Sequence, residues 1–167
     1  MSSETKRIKI SAVVCTHNRD KHLYSTIKSL VDQSIDKSIY EIIVVDNAST
    51  DNTMKVIKHF EGEKNFRFIQ EPKLGLSYAR NLGWKKAAGE FVAFIDDDAV
   101  ASKGWLLRIL AAFQSIPNLG AVGGKIEPIW EESPPPWLDD FMKRSLSLLD
   151  WSPAPMILDD KKYRQYL

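Results

Sequence analysis

The sequence predicts an α/β fold in which a mostly parallel sheet carries helices on both faces. Short apolar runs rich in β-branched residues alternate with longer segments whose apolar residues recur at helical spacing. The run at residues 41–45 is apolar after its first residue, as in strands buried on both faces of a parallel sheet. This alternation implies right-handed crossovers, and 167 residues with 44% hydrophobic content suffice for one core.

The first predicted strand is the apolar, β-branched run at residues 8–15. The polar residues 18–20 then introduce a helix over residues 21–33, where leucine, isoleucine and valine recur at helical spacing and would face the sheet. The second strand covers residues 41–45 and stops at Asp46. The chain therefore starts with a strand, a helix and a buried strand.

The second helix is predicted from the apolar residues between positions 54 and 60. Residues 49–51 supply candidate N-cap side chains, and we interpret Asp51 as a cap. Gly62 lies where this helix should end. A third strand follows at residues 66–70.

The third helix is predicted at residues 76–88, with small and apolar residues on one stripe. Gly83 on that stripe would permit close packing, and Gly89 is expected just past the helix end, at the C′ position. The fourth strand, residues 91–95, runs directly into three adjacent carboxylates, which we call the acidic triplet (Asp96, Asp97 and Asp98).

Two further elements are predicted beyond the acidic triplet. Residues 105–115 form a strongly apolar helix, and residues 119–126 read as a glycine-containing fifth strand. The proline-rich residues 133–137 favour an extended connector that ends in a tryptophan.

Composition excludes several classes of protein. A net charge of +1 lacks the basic excess of a general nucleic-acid binder, so no nucleic-acid partner is expected. Cys15 is the only cysteine, which excludes an internal disulfide and a metal site built on thiolates, and fits a reducing compartment. The sequence shows neither a signal peptide nor an apolar stretch of about 20 residues. We therefore expect a cytoplasmic protein, with peripheral contact at the cytoplasmic face of a membrane left open.

The acidic triplet predicts a cation site. Three adjacent carboxylates repel one another, so a fold that places them at the end of a buried strand is expected to supply a cation. In an extended chain, Asp96 and Asp98 would point to one side and Asp97 to the other. This spacing suits a divalent ion and a polyphosphate.

Other polar residues follow the first two predicted strands. Ligands of open α/β sheets bind outside the carboxyl ends of the strands, where residues 16–19, Asp46 and Asn47 also fall. Asp46 can accept a hydrogen bond from a base or ribose, Arg19 can balance phosphate charge, and Asp98 can hold a hard cation. Together these residue types suit a nucleoside diphosphate.

Four ordered motifs make the chain resemble the family 2 glycosyltransferases, which have the nucleotide-sugar-binding, Rossmann-like GT-A fold. The motifs are residues 13–19, 43–51, 75–83 and 89–98. Their order and spacing agree over roughly residues 8–127. The resemblance implies a nucleotide-sugar (donor) binding domain at 1–127, followed at 128–167 by a connector containing proline and tryptophan and the start of an acceptor region.

The resemblance also implies roles for individual residues. It places Thr16, Asn18 and Arg19 beside the nucleotide and Asp46 on its base, usually uracil. Asp96 and Asp97 would join the nucleotide-sugar site, and Asp98, with Asp96, would bind Mn²⁺ or Mg²⁺ that is coordinated by the diphosphate. Arg80 would contact the donor or make a structural bond to the acidic triplet.

The implied reaction is metal-dependent transfer of a sugar, with inversion, from a UDP-sugar to the hydroxyl of a glycan, lipid-linked or small-molecule acceptor. A carboxylate should deprotonate that hydroxyl. The family's acidic acceptor-side motif has no counterpart here, and the surroundings of the acidic pairs 139–140 and 159–160 do not match it. The catalytic base is therefore unidentified, and the chain is expected to be incomplete and weak or inactive alone.

Two other classes stay open. One is a different metal-dependent, nucleotide-binding α/β enzyme, such as a nucleotidyltransferase or an aspartyl phosphatase. The position of the acidic triplet after the fourth strand, and not the first, counts against the phosphatase. The other class is a non-catalytic module that binds a nucleotide sugar.

Overall fold

The computed structural model describes residues 7–135, 137–139 and 142. It divides the chain into two compact units, Met1–Gly120 and Ala121–Leu167. The helices and strands given below all lie in the first unit. Among the described residues, no helix is both long and apolar enough to cross a lipid bilayer.

Four strands alternate with four helices in the first unit. They are, in chain order, β1 (Ile10–Thr16), α1 (Asp20–Val31), β2 (Tyr40–Asp46), α2 (Thr53–Lys58), β3 (Phe66–Gln70), α3 (Leu76–Lys86), β4 (Phe91–Asp96) and α4 (Trp105–Ser115). The strand order is β3-β2-β1-β4, and every pairing is parallel. The predicted α/β class is confirmed.

The register aligns the carboxyl ends of neighbouring strands. Thr16 at the end of β1 is opposite Asp46 at the end of β2, and Cys15 is opposite Asp96 at the end of β4. Because the strands are parallel, the polar residues that follow them share one edge of the sheet.

Helices cover both faces of the sheet, as predicted. Alternate residues of β1 point to opposite faces, so Val14 joins the larger core with α1, α2 and α4, whereas Val13 joins a smaller core with α3. β2 is buried at every position, which explains its nearly continuous apolar sequence.

Two glycines allow the backbone to approach the sheet closely. A Cβ atom on Gly83 would lie 2.6 Å from Val13 Cγ1, which confirms that this glycine serves close packing. A Cβ on Gly89 would lie 2.6 Å from the Ser11 backbone nitrogen. The prediction that Gly89 is the C′ residue was wrong, because α3 ends at Lys86 with an extended cap residue and Gly89 lacks positive φ.

Two other expectations about element ends were wrong. α2 ends at Lys58, and the chain continues through turns, so Gly62 lies beyond the helix end instead of marking it. Residues 119–126 carry no regular secondary structure and are largely exposed. A strand needs a hydrogen-bonded partner, and the three glycines in this segment, Gly120, Gly123 and Gly124, raise the entropy cost of ordering it.

A buried carboxylate ties the sheet together at the end opposite the polar edge. Glu41 accepts hydrogen bonds from Ser11 Oγ (2.6 Å), Arg67 Nε (2.9 Å) and the Ala88 backbone N–H (2.6 Å). Burial raises the pKa of Glu41, but these hydrogen bonds outweigh burial and hold the pKa below its ordinary value.

Candidate functional site

A cleft of about 310 Å³ lies at the carboxyl ends of the strands. The residues that follow β1, β2 and β4 contribute to it, and the start of α3 closes one side. Its lining residues are Cys15, Thr16, His17, Arg19, Asn47, Leu76, Ala79, Asp96, Asp97 and Asp98. The structure therefore brings Thr16, Arg19 and the whole acidic triplet together, whereas Asn18, Asp46 and Arg80 are outside the lining.

Asn18 joins two loops. It has φ of 53°, a left-handed conformation that Asn tolerates better than most residues. Its Oδ1 accepts a hydrogen bond from the Thr50 backbone N–H at 2.8 Å, and its own backbone N–H donates to Ser49 Oγ at 3.0 Å. These bonds tie the β1–α1 loop to the β2–α2 loop, so the side chain of Asn18 serves the shape of the rim.

Asp46 is not among the residues that line the cleft. It is 3% exposed, and its Oδ1 accepts a hydrogen bond from the Ser49 backbone N–H at 3.2 Å. Asp51 also serves the local backbone, because its carboxylate accepts from the N–H of Thr53 at 2.9 Å and of Asp20 at 3.3 Å. The N-cap position of α2 is Asn52, yet Asp51 acts as a cap for the first residues of both α1 and α2.

Arg19 and Asp97 form an ion pair in the lining of the cleft. Arg19 Nε lies 3.9 Å from Asp97 Oδ1, and the side chain of Asp97 is only 14% exposed. Burial raises the pKa of Asp97, while the charge of Arg19 opposes that rise. The Thr16 hydroxyl does not reach hydrogen-bond geometry with Asp97 or any other group, so a buried polar oxygen of the cleft is left unsatisfied.

The acidic triplet does not continue the extended chain. β4 ends at Asp96, and Asp97 and Asp98 form a turn in which the Ala99 N–H donates to the Asp96 carbonyl at 3.2 Å. The predicted alternation of side chains therefore does not extend to Asp98. Asp96 is exposed and lies 3.5 Å from Arg80, so Arg80 makes the bond to the acidic triplet that was one of its two predicted roles.

Polar side chains of α1 hold the segment after the acidic triplet. Thr26 Oγ1 donates to the Asp97 carbonyl at 2.9 Å, and Ser29 Oγ accepts from the Ala101 N–H at 3.0 Å. Gln33, 7% exposed, donates to the carbonyls of Ser29 (3.0 Å) and Ser102 (2.8 Å) and accepts from the Leu106 N–H at 3.0 Å. Thr26 and Ser29 lie at helical spacing on α1 and fix the segment from Asp97 to Ala101. Gln33 follows the end of α1 and holds the start of α4.

The acidic triplet fits a cation that is bound jointly with a ligand. In the described ranges, no three or more His, Cys, Asp or Glu side chains form a ready metal site. Mg²⁺ is commonly held by one or two carboxylates together with substrate phosphates, and the exposed carboxylates of Asp96 and Asp98 can supply that part.

Asn47 lines the cleft, at the strand-end position that the sequence predicted for it without a specific role. It is 3% exposed, and both ends of its carboxamide bind the backbone of residues 71–75. His17 Nδ1 lies 2.7 Å from the Asn47 carbonyl, which connects the loops after β1 and β2. Its position directly after the buried strand β2 was the available signal, because a polar side chain there requires partners.

Cys15 is a poor nucleophile in this cleft. Burial raises the pKa of its thiol to about 11, although the charge of Arg80 opposes the rise. Of the candidate bases, Asp139 accepts the Met142 N–H at 2.8 Å, as a capping residue does, and Asp140, Asp159 and Asp160 lie outside the described residues.

The parallel sheet, with a polar cleft at the carboxyl ends of its strands, defines an α/β protein of the GT-A class. The family model described as Glycosyl transferase family 2 matches residues 11–164, so the chain belongs to this family.

Two curated relatives illustrate the similarity. The chain is 33% identical over 108 residues to the poly(ribitol-phosphate) beta-N-acetylglucosaminyltransferase TarS of Staphylococcus aureus, covering 64% of this chain and 19% of TarS. It is 33% identical over 129 residues to the dolichyl N-acetyl-alpha-D-glucosaminyl phosphate 3-beta-D-2,3-diacetamido-2,3-dideoxy-beta-D-glucuronosyltransferase of Methanococcus voltae, covering 73% of this chain and 40% of that protein. The chain thus spans well under half the length of these relatives.

A solved structure supports the fold. The crystal structure of S. aureus TarS 1-349 in complex with UDP-GlcNAc matches with a TM-score of 0.59 and 32% identity. The match covers 64% of this chain and 31% of that chain.

Proposed function

We propose that the protein binds a UDP-sugar in the cleft and transfers the sugar, with inversion, to an acceptor hydroxyl. The observation that carries this proposal is the convergence of Thr16, Arg19 and the acidic triplet from the ends of β1 and β4 on one cleft. Membership of glycosyl transferase family 2 makes a nucleotide sugar the natural ligand of such a cleft.

The chemistry of the cleft suits a nucleoside diphosphate. The unsatisfied Thr16 hydroxyl can bond a polar group of the ligand, and Arg19 supplies countercharge for phosphate. Asp97 forms an ion pair with Arg19 at 3.9 Å. The similarity to a TarS structure in complex with UDP-GlcNAc supports uridine as the nucleoside.

Asp98, with Asp96, would hold Mn²⁺ or Mg²⁺. Bound with the diphosphate, the ion would neutralise charge on the leaving nucleoside diphosphate. The residues of the chain keep the cleft in shape: Thr26 fixes the turn of the acidic triplet through the Asp97 carbonyl, and Arg80 neutralises part of its charge. Asp46 and Asn18 contribute through the loops that they order. Contact between Asp46 and the base would require its carboxylate to leave the Ser49 N–H.

The acceptor side of the reaction is proposed from the family alone. A glycan, a lipid-linked sugar or a small molecule would present the hydroxyl, and a carboxylate would deprotonate it. Action at the cytoplasmic face of a membrane would suit a lipid-linked acceptor. Sedimentation of the protein with anionic lipid vesicles tests that location, and protein that stays in the supernatant would contradict it.

Calorimetric titration with UDP, GDP and UDP-sugars, with and without Mn²⁺, tests the donor site. We expect UDP to bind, with an affinity that rises about tenfold on addition of Mn²⁺, or about 1.4 kcal/mol. Asp98→Ala should abolish the rise in affinity that Mn²⁺ causes. Asp32→Ala is the control and should preserve that rise, because it removes an exposed carboxylate at the C-cap of α1. If no nucleoside diphosphate binds in either condition, the donor-site proposal fails.

Catalysis requires a separate measurement. Release of UDP from a bound UDP-sugar, in the presence and absence of candidate acceptors, distinguishes a transferase from a module that only binds. Tight binding without any release of UDP would favour the binding module.

A further inference from the structure

Both the NH2 group and the oxygen of the buried Asn47 carboxamide make hydrogen bonds. Its Nδ2 donates to the carbonyls of Glu71 (3.0 Å) and Lys73 (2.8 Å), and its Oδ1 accepts from the Gly75 N–H (2.8 Å). Its backbone N–H donates to the Thr16 carbonyl at 2.8 Å. Asn47 thus joins the end of β1 to the whole loop between β3 and α3.

That loop delivers the first turn of α3 to the cleft. Gly75 is the N-cap of α3 and has φ of 142°, a conformation that favours glycine, so the direction of the helix depends on one unusual backbone position. Leu76 and Ala79, just after it, line the cleft. Asn47 binds the Gly75 N–H directly, and this bond positions Leu76 and Ala79, which form one wall of the cleft.

We infer that Asn47 is a positioning residue of the donor cleft, an inference that rests on the function proposed above. Two donors and one acceptor are required here, and only a carboxamide provides them at this size. A carboxylate could still accept from Gly75, but it would face the carbonyls of Glu71 and Lys73 with no proton to share. The loop would then leave its position, and α3 would lose its fixed start.

Asn47→Asp tests the inference with the smallest change in shape. Only molecules with the loop in place bind the donor well, so the apparent dissociation constant rises as their fraction falls. We expect the dissociation constant for UDP to rise about tenfold, and by a similar factor with and without Mn²⁺, because the ion site lies on a different loop.

Gln33→Glu is the matched control. Gln33 makes the same pattern of two donated bonds to carbonyls and one bond accepted from a backbone N–H, but it joins α1 to α4 and is not part of the cleft. Gln33→Glu should lower the thermal midpoint comparably to Asn47→Asp and leave UDP affinity at the wild-type value. A merely structural role for Asn47 would give both variants the same affinity, and that result would overturn the inference.

A second variant and a second measurement separate the possible failures. Asn47→Ser removes the carboxamide without adding charge, and it carries the test if Asn47→Asp does not fold. In wild type the Gly75 amide should exchange slowly with deuterium, and Asn47→Ser should accelerate that exchange about tenfold or more while amides of β1 are unchanged. If wild type fails to bind UDP, the proposed function fails, but the exchange result still decides whether Asn47 holds the loop. An unchanged exchange rate of the Gly75 amide in Asn47→Ser would refute the inference that Asn47 holds this loop.

Discussion

Gly83→Ala should destabilise the fold because the methyl group has no room. Its Cβ would lie 2.6 Å from Val13 Cγ1 and 3.3 Å from Val45 Cγ2, and the first distance is about 0.9 Å short of a comfortable carbon–carbon contact of about 3.5 Å. Val13 is fully buried and β-branched, so it cannot easily rotate away. Overpacking of this kind costs about 1–3 kcal/mol, and alanine's higher helix propensity offsets up to about 1 kcal/mol.

A Cβ contact of 2.6 Å places the overpacking cost in the upper part of that range, about 2–3 kcal/mol. The net loss in the free energy of unfolding is therefore about 1–2 kcal/mol, measured by urea denaturation. Gly62→Ala is the control, since nothing lies within 4 Å of the added methyl group. The double variant Gly83→Ala with Val13→Ala should lose at least about 1 kcal/mol less than the sum of the single changes, because the two methyl groups no longer compete for space. A Gly83→Ala protein as stable as Gly62→Ala, or strict additivity in the double variant, would refute the packing argument.

Three further predictions concern other positions. Gly89→Ala should cost about 3 kcal/mol, more than Gly83→Ala, because its methyl group would meet the backbone of β1 at Ser11, which cannot rotate aside; denaturant midpoints that rank the two the other way would contradict this. Glu41→Gln should cost about 1–3 kcal/mol at pH 7. The pKa of Glu41 in the folded protein is below its ordinary value of 4.5. The stability that the Glu41 carboxylate contributes is therefore present above pH 4.5 and is lost as the pH falls through the folded pKa. Melting curves recorded at a series of pH values should show that the stability difference between wild type and Glu41→Gln closes in acid. Cys15, with its pKa raised to about 11, should react with a thiol reagent at pH 8 more than tenfold slower in the folded protein than in urea, and equal rates would show that the thiol is accessible.

Local sequence patterns predicted most of the fold. The buried run of β2 and the helical spacing of Leu23, Ile27 and Leu30 reflect which face of each element is buried, and this information is written in neighbouring residues. The aligned strand ends also follow from the parallel topology, so the sequence predicts that Thr16, Arg19 and the acidic triplet meet.

Predictions failed where the outcome depends on distant partners. Gly89 resembles a helix C-cap locally, but its conformation is decided by the backbone of Ser11, 78 residues away along the chain. Residues 119–126 have an apolar, strand-like composition but no strand pairing. Gly62 and the turn at Asp98 show that element ends are weakly encoded when the same residues suit several caps or turns.

Short-range patterns were sufficient to predict the parallel α/β class and the acidic triplet at the end of β4. The choice of polar side chains that face the cleft depends instead on how the loops pack. The side chains of Asp46 and Asn18 make hydrogen bonds within the loops. The Asn47 side chain binds the backbone of residues 71–75, which lie 24 to 28 residues further along the chain. Each of these side chains must satisfy its buried hydrogen-bonding groups with whatever the fold brings near, and that requirement cannot be evaluated until the loops are in place.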